Sequence, residues 1–185
     1  MSPSPLVIGH RGASAHAPEN TIAAFRLAFE AGADGIEFDV RLAKDGVPVV
    51  IHDPDLKRTG HKQILVADAT SAELSKVDVG SWFNRQFPKR ARAEFDNEGV
   101  PSLVEVLELC KDHNRLIYIE LKPSRTDSRM LAEAVCDLIR DSPLLPQIIV
   151  KSFKLGVIPI VRQLLPDVQV AALFEPIVMD YLRRR

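Results

Sequence analysis

Short apolar runs alternate along the chain with stretches in which apolar residues recur every three or four positions, the pattern of successive βα units. Leu6 to His10 forms the first run. A turn-rich loop then ends in Pro18-Glu19-Asn20, which places Asn20 to cap a helix whose Ile22, Phe25 and Phe29 share a face and whose end is marked by Gly32. Gly35 to Val40 and Pro48 to His52 are predicted as the second and third strands, Arg115 to Lys122 as the fourth, Gln147 to Ser152 as the fifth and Val168 to Phe174 as the sixth. Ser102-Leu103-Val104-Glu105 reads as a capping box, and Leu103, Val106, Leu107 and Cys110 follow at i, i+3, i+4 and i+7. Leu131, Val135 and Leu138 mark the buried face of the next helix. A last helix from about Lys154 to Leu165 is stopped by Pro166.

Two places break this rhythm. Asp53 to Pro101 is polar, interrupted by Gly60, Gly80, Pro88 and Gly99, and holds one short helix after Thr70, so residues 53–101 are expected to form an insertion subdomain within a single 1–185 domain. Between the second and third strands stand only Arg41 to Val47. Asp45-Gly46 suggests a β-hairpin, yet seven extended residues reach roughly 23 Å and could return the chain to a parallel strand, so the pattern leaves both open.

Composition narrows the class. With 46% hydrophobic and 26% charged residues over 185 positions, the chain has the make-up of a globular protein and not of a disordered or fibrous one. A net charge of −1, with only Lys89, Arg90, Arg92 and the terminal Arg183 to Arg185 as basic runs, argues against nucleic acid as a partner. Cys110 and Cys136 both fall in helical segments, which disfavours a disulfide. No run approaches the roughly 18 apolar residues of a membrane span, and Met1 to Pro5 lacks the form of a signal peptide, so the expected location is cytoplasmic.

The chemistry is concentrated at strand ends. Alternate residues of a strand share a face, so Glu37 and Asp39 point one way while Ile36, Phe38 and Val40 point the other. Tyr118, Glu120 and Lys122 repeat the arrangement on the fourth strand. Three acids in strongly apolar strands need a counter-charge, and a hard divalent cation is the economical partner; an exposed face with a salt bridge is the plainer alternative. His10, followed by Arg11, ends the first strand, and His52 ends the third. In parallel α/β architectures the carboxyl ends of strands collect catalytic groups. His16, His61 and His113 have no comparable setting and are expected in loops or at the surface.

His10-Arg11-Gly12, Pro18-Glu19-Asn20-Thr21, Glu37-Phe38-Asp39-Val40, the run Lys44 to Asp53, and Glu120-Leu121-Lys122 together resemble the glycerophosphodiester phosphodiesterase family in order and spacing over residues 6 to 122. Lys151-Ser152-Phe153 resembles the ending of a later strand in that family, and Trp82-Phe83 its small inserted subdomain. The resemblance implies an α/β TIM (β/α)8-type barrel that hydrolyses glycerophosphodiesters, as small-molecule substrates, to glycerol 3-phosphate and an alcohol. It implies Glu37, Asp39 and Glu120 as ligands of one Ca²⁺ or Mg²⁺ ion, His10 and His52 as general acid and base, and Arg11 and Lys122 as the phosphate grip. Glu19 and Asn20 are open between contact with the site and helix capping.

An eight-strand barrel typically needs about 250 residues, and only six strands are predicted here, so the barrel is expected to lack its last two βα units and to stop after strand six. The apolar first and sixth strands would then be open edges, from which pairing with another chain, a domain swap or aggregation is expected. An incomplete barrel also raises the alternative of a remnant that binds phosphate or metal without turnover.

Overall fold

A computed structural model describes residues 4–174 of the chain. Its sheet has six strands: β1 (Ile8–His10), β2 (Gly35–Leu42), β3 (Pro48–Val50), β4 (Leu116–Leu121), β5 (Ile148–Ser152) and β6 (Gln169–Ala172). Five of them run parallel in the order β1-β2-β4-β5-β6. The sixth departs from that set, because β3 pairs antiparallel with the far end of β2, in the register Val40↔Val50, Arg41↔Val49 and Leu42↔Pro48.

The junction left open by the pattern is therefore a hairpin. Gly46 sits at φ +78°, a conformation that costs glycine little, and its N–H donates to the Ala43 carbonyl while Ala43 N–H donates to Val47. Lengthening β2 to Leu42 supplies the partner for β3. An eight-strand barrel thus has three more parallel strands than the described residues supply, not two. Among the described residues β1 pairs only with β2 and β6 only with β5. The terminal basic run Arg183 to Arg185 lies outside the described residues.

The outer face of the sheet carries the main core. Ile36, Phe38 and Val40 of β2, Ile117, Ile119 and Leu121 of β4, and Ile148 and Val150 of β5 are all buried there. Against them pack α1 (Ile22–Glu30), α5 (Leu103–Cys110), α6 (Ser128–Ile139) and α7 (Val157–Leu164). Phe25 of α1 meets Phe38 with ring centroids 5.5 Å apart. Full burial of side chains of this size contributes about 1.5–3 kcal/mol each. The capping box forms as predicted: Glu105 N–H donates to Ser102 Oγ at 3.3 Å, and Ser102 N–H donates to Glu105 Oε2 at 2.8 Å. On α6 the stripe runs through Leu131, Val135, Cys136 and Ile139, and Leu138 is turned outward.

Residues 53–101, expected to hold one short helix after Thr70, contain three short α-helices, α2 (Lys57–Gly60), α3 (Ser71–Leu74) and α4 (Ser81–Gln86), and three 3-10 turns. Leu56, Val66, Leu74, Val77 and Val79 bury themselves with Val49 and Ile51 of the hairpin arm, while Phe83 and Phe95 pack on Ala17 and Ala24 beside the start of α1. The segment is thereby held over the carboxyl ends of β1 and β2. No helix among the described residues is long and apolar enough to cross a membrane.

Cys110 and Cys136 are both buried free thiols. Burial pushes the Cys110 thiol up to about 12 and that of Cys136 up to about 11, against an ordinary value near 8.5. The unfolded chain ionises these groups first, so their contribution to stability is full below about pH 8.5 and is lost as pH rises through 11 to 12. Ellman's reagent at neutral pH is expected to react with neither thiol in the native protein and with both in denaturant; fast native reaction of either would contradict the helical, buried placement.

Candidate active site

Strand register assembles the site. Neighbours in a parallel sheet at matched positions point to the same face, so two rows cross its inner side: His10, Glu37, Tyr118 and Ile149, and above them Asp39, Glu120 and Lys151. Glu37, Asp39 and Glu120 are 4%, 0% and 5% exposed, and one carboxylate oxygen from each lies within 4.8 Å of the others. Three cations face them. Lys122 Nζ lies 3.2 Å from Asp39 Oδ1 and 2.6 Å from Glu120 Oε1, Lys151 Nζ lies 3.0 Å from Glu37 Oε1, and Arg11 Nε lies 3.2 Å from Asp39 Oδ2.

The cluster is balanced in formal charge, three against three, which is what makes burial of the carboxylates tolerable. It is not satisfied in hydrogen bonds. Glu37 Oε1 and Asp39 Oδ1 are buried without a hydrogen-bond partner, although a lysine ammonium lies near each. Two orphaned carboxylate oxygens in an all-oxygen donor set match the needs of a hard divalent cation, so the residues present fit such an ion. Lys151 enters the sequence analysis only through the likeness of Lys151-Ser152-Phe153 to a strand ending of the family, with no role in the site. Its signal was available, since a lysine in the apolar run Ile148 to Ser152 poses the same problem as the acids of β2.

The loop after β1 is strained and bonded into place. Arg11 adopts φ +58° and Gly12 φ +78°; a Cβ on Gly12 would lie 2.7 Å from the Ala24 carbonyl carbon. Arg11 N–H donates to the Glu37 carbonyl at 2.8 Å, which fixes the residue over β2. Asn20, left open between capping the helix and contact with the site, does not cap it. Thr21 caps α1, accepting from Ala24 N–H at 3.2 Å, and the displaced Asn20, at φ +57°, donates from Nδ2 to Asp39 Oδ2 at 2.9 Å. Glu19 Oε1 accepts from Arg11 Nη1 at 2.9 Å and from Arg58 Nη2 at 2.7 Å. Burial pushes the Glu19 carboxyl pKa up, but Arg58 and Arg11 outweigh it and hold the group below the usual carboxylate range.

His52 arrives by a route that the strand-end rule does not describe. It follows the antiparallel β3, whose chain runs back along β2 until Ile51 N–H donates to the Asp39 carbonyl at 2.9 Å, so Ile51 comes level with Asp39 and His52 stands one residue beyond it. Arg41 Nε donates to the His52 carbonyl at 2.8 Å and Arg41 Nη1 to the Lys122 carbonyl at 3.2 Å. The His52 Nδ1–H donates to Asp53 Oδ1 at 2.7 Å. Asp53 is held below the usual range: burial raises its pKa, and the His52 and Arg58 contacts more than reverse that.

Five of the seven predicted residues divide between two clefts. His10 and Arg11 line one of about 640 Å³ with Glu19, Arg58, His61 and Trp82, whereas His52, Glu120 and Lys122 line another of about 540 Å³ with Ser152 and Phe153. Glu37 and Asp39 lie between them: His10 Nε2 is 3.7 Å from Glu37 Oε2, and Lys122 reaches Asp39. His61, expected as a loop residue, stands in the wall of the first cleft, and His113 stacks on Phe29 with ring centroids 4.1 Å apart.

Residues 10–183 match the model of the glycerophosphoryl diester phosphodiesterase family. The chain belongs to this family. It is 38% identical over 170 residues to the glycerophosphodiester phosphodiesterase of Caldanaerobacter subterraneus subsp. tengcongensis, a match covering 92% of this chain and 67% of that protein. To the glycerophosphodiester phosphodiesterase of Bacillus subtilis it is 36% identical over 175 residues, covering 92% of this chain and 59% of that one. The chain thus spans about three-fifths to two-thirds of the length of these relatives. A solved Oleispira antarctica phosphodiesterase, in complex with the product sn-glycerol-3-phosphate, superposes with a TM-score of 0.84 at 31% identity, covering 97% of this chain and 70% of that one. These family structures share the TIM-barrel architecture, so the parallel sheet seen here is part of a barrel-type fold.

Proposed function

We propose that the chain carries a glycerophosphodiesterase site that hydrolyses glycerophosphodiesters to glycerol 3-phosphate and an alcohol. The observation that carries this reading is the buried Glu37, Asp39 and Glu120 triad, with two orphaned oxygens, ringed by Arg11, Lys122 and Lys151 in a chain of this family. Glu37, Asp39 and Glu120 would hold a Ca²⁺ or Mg²⁺ ion. Such an ion polarises phosphoryl oxygens and offsets the charge that grows on them in the transition state.

The residues around the triad have distinct roles in this reading. Arg11 offers a planar fork to two phosphate oxygens, and Lys122, beside Asp39 and Glu120, supplies a point charge to a third. Lys151 offsets Glu37 from the opposite side. His10 and His52 exchange protons at the attacking and leaving oxygens, a task suited to imidazole near neutral pH. The Asp53 contact keeps the His52 proton on Nδ1 and leaves Nε2 free to take one. Because the three cations already balance the triad, a bound divalent ion leaves a net positive site, which favours an anionic phosphodiester. A cytoplasmic setting and the closure of residues 53–101 over the site as a subdomain belong to the same proposal.

Three outcomes test it. Purified chain incubated with glycerophosphocholine and Ca²⁺ or Mg²⁺ is expected to release glycerol 3-phosphate, with chelator abolishing release and His10→Ala or His52→Ala lowering the rate about 10²- to 10⁴-fold. No product with either metal would favour an inactive remnant of the fold. Independently of turnover, adding the ion at about 100 times its Kd should stabilise the fold by about 2.7 kcal/mol. Thermal unfolding reads this directly, and Glu120→Gln or Asp39→Asn should erase most of the shift; an equal shift in both variants would remove these residues as ligands. Finally, the unpaired edges of β1 and β6 among the described residues favour self-association, seen as a mass above the monomer in concentration-dependent light scattering. A monomer at all concentrations would count against it.

A further inference from the structure

Arg58 lies outside the charge cluster, in the four-residue helix α2. Yet its guanidinium makes three short contacts to two different carboxylates. Nε donates to Asp53 Oδ2 at 2.7 Å, Nη1 to Glu19 Oε2 at 2.9 Å and Nη2 to Glu19 Oε1 at 2.7 Å. Each carboxylate hands the contact on. Asp53 uses its other oxygen to accept the His52 Nδ1–H at 2.7 Å, and Glu19 accepts Arg11 Nη1 at 2.9 Å. Arg11 in turn lies against Asp39. One side chain therefore joins the two clefts by an unbroken line of alternating charge, from His52 through Asp53, Arg58, Glu19 and Arg11 to Asp39.

We propose that Arg58 is a positioning residue that sets His52 and Arg11 together, through Asp53 and Glu19; this rests on the proposed roles of those two residues. The geometry requires a guanidinium. Its flat fork meets Glu19 with two parallel N–H bonds while Nε is spent on Asp53, a set of directions that a lysine ammonium cannot reproduce. The Trp82 ring lies 5.9 Å from the guanidinium carbon, and Trp82 is itself held by its Nε1–H to the Val79 carbonyl at 2.8 Å. Residues 53–101 thus present Arg58 against an indole face, which limits where the fork points. With Arg58 removed, Asp53 is free to turn from Nδ1, so that His52 loses its preferred tautomer, and Glu19 no longer holds Arg11 from one fixed direction.

The test reads the imidazole and the kinetics separately, on the whole chain. Long-range ¹H–¹⁵N spectra of histidine-labelled protein, with the His52 signal assigned by its loss in His52→Gln, should show an Nδ1–H tautomer in the parent at a pH where the ring is neutral. In Arg58→Ala the tautomer ratio should move toward Nε2–H by roughly fivefold, the ratio that one ordinary hydrogen bond sustains. In the glycerophosphocholine assay kcat/KM should fall about 10- to 100-fold, with lower kcat and higher KM, and added guanidinium should restore part of it. Arg58→Lys, which keeps the charge and the stem, should behave as Arg58→Ala in both readings and serves if the alanine variant does not fold. An unchanged tautomer ratio with a lower melting temperature and unchanged kcat would make Arg58 a structural residue only and overturn the proposal, as would parental behaviour of Arg58→Lys. A parent chain without turnover would instead defeat the proposed activity, leaving the spectra to decide the positioning alone.

Discussion

Three carboxylates buried on one side of a sheet are the constraint around which the rest of the structure is arranged. Glu37, Asp39 and Glu120 are almost wholly removed from water, and an isolated buried carboxylate would cost several kcal/mol. Lys122, Lys151 and Arg11 answer that cost with charge, and Asn20 answers part of it with a hydrogen bond to Asp39. The compensating groups come from the end of β4, from β5 and, for Arg11 and Asn20, from the loop after β1. The cluster therefore holds only while β2, β4, β5 and the loop after β1 stand in register, and the apolar outer face against α1, α5, α6 and α7 maintains that register.

The same sheet thus has two faces with opposite physics. Ile36, Phe38, Val40, Ile117 and Ile119 exclude water behind it, so the inner face can be dense in charge without the strands separating. Backbone strain collects where the site requires unusual directions. Arg11 and Asn20 take positive φ, and both are held by hydrogen bonds to β2 or to each other, with Asn20 N–H donating to the Arg11 carbonyl at 3.0 Å. The hairpin arm and residues 53–101 complete the arrangement from above, through the Val49 and Ile51 contacts and the Arg58 line to Glu19 and Asp53.

Much of this was legible in the residue pattern. Period-two alternation in Gly35 to Val40 and Arg115 to Lys122 placed the acids on one face and the aliphatic residues on the other, because a strand leaves no other choice. The capping box at Ser102 and the helical spacing of Leu131 and Val135 were equally local and equally readable. Errors arose where a local signal had two solutions. Asn20 and Thr21 are both good caps, and the selection of Thr21 depends on Asp39, nineteen residues away, capturing the Asn20 amide. The role of Lys151 was hidden because the partners of a lone lysine in a strand are unknown until its neighbours across the sheet are placed.

By itself the sequence determined which side chains share a face, where helices begin, and that acids and histidines stand near strand ends, since these follow from the 2.0 and 3.6 periods of the backbone. Which strand stands beside which was settled by the tertiary structure. Asp39, Glu120 and Lys151 become one row only through parallel pairing of β2, β4 and β5, which are separated in the chain by more than a hundred residues in all. His52 comes within one residue of the level of Asp39 only because β3 turns back antiparallel, a choice between two sterically allowed returns that local pattern leaves open. The line through Arg58 joins residues 11, 19, 52, 53 and 58 by side-chain directions, and no periodicity of the chain encodes those.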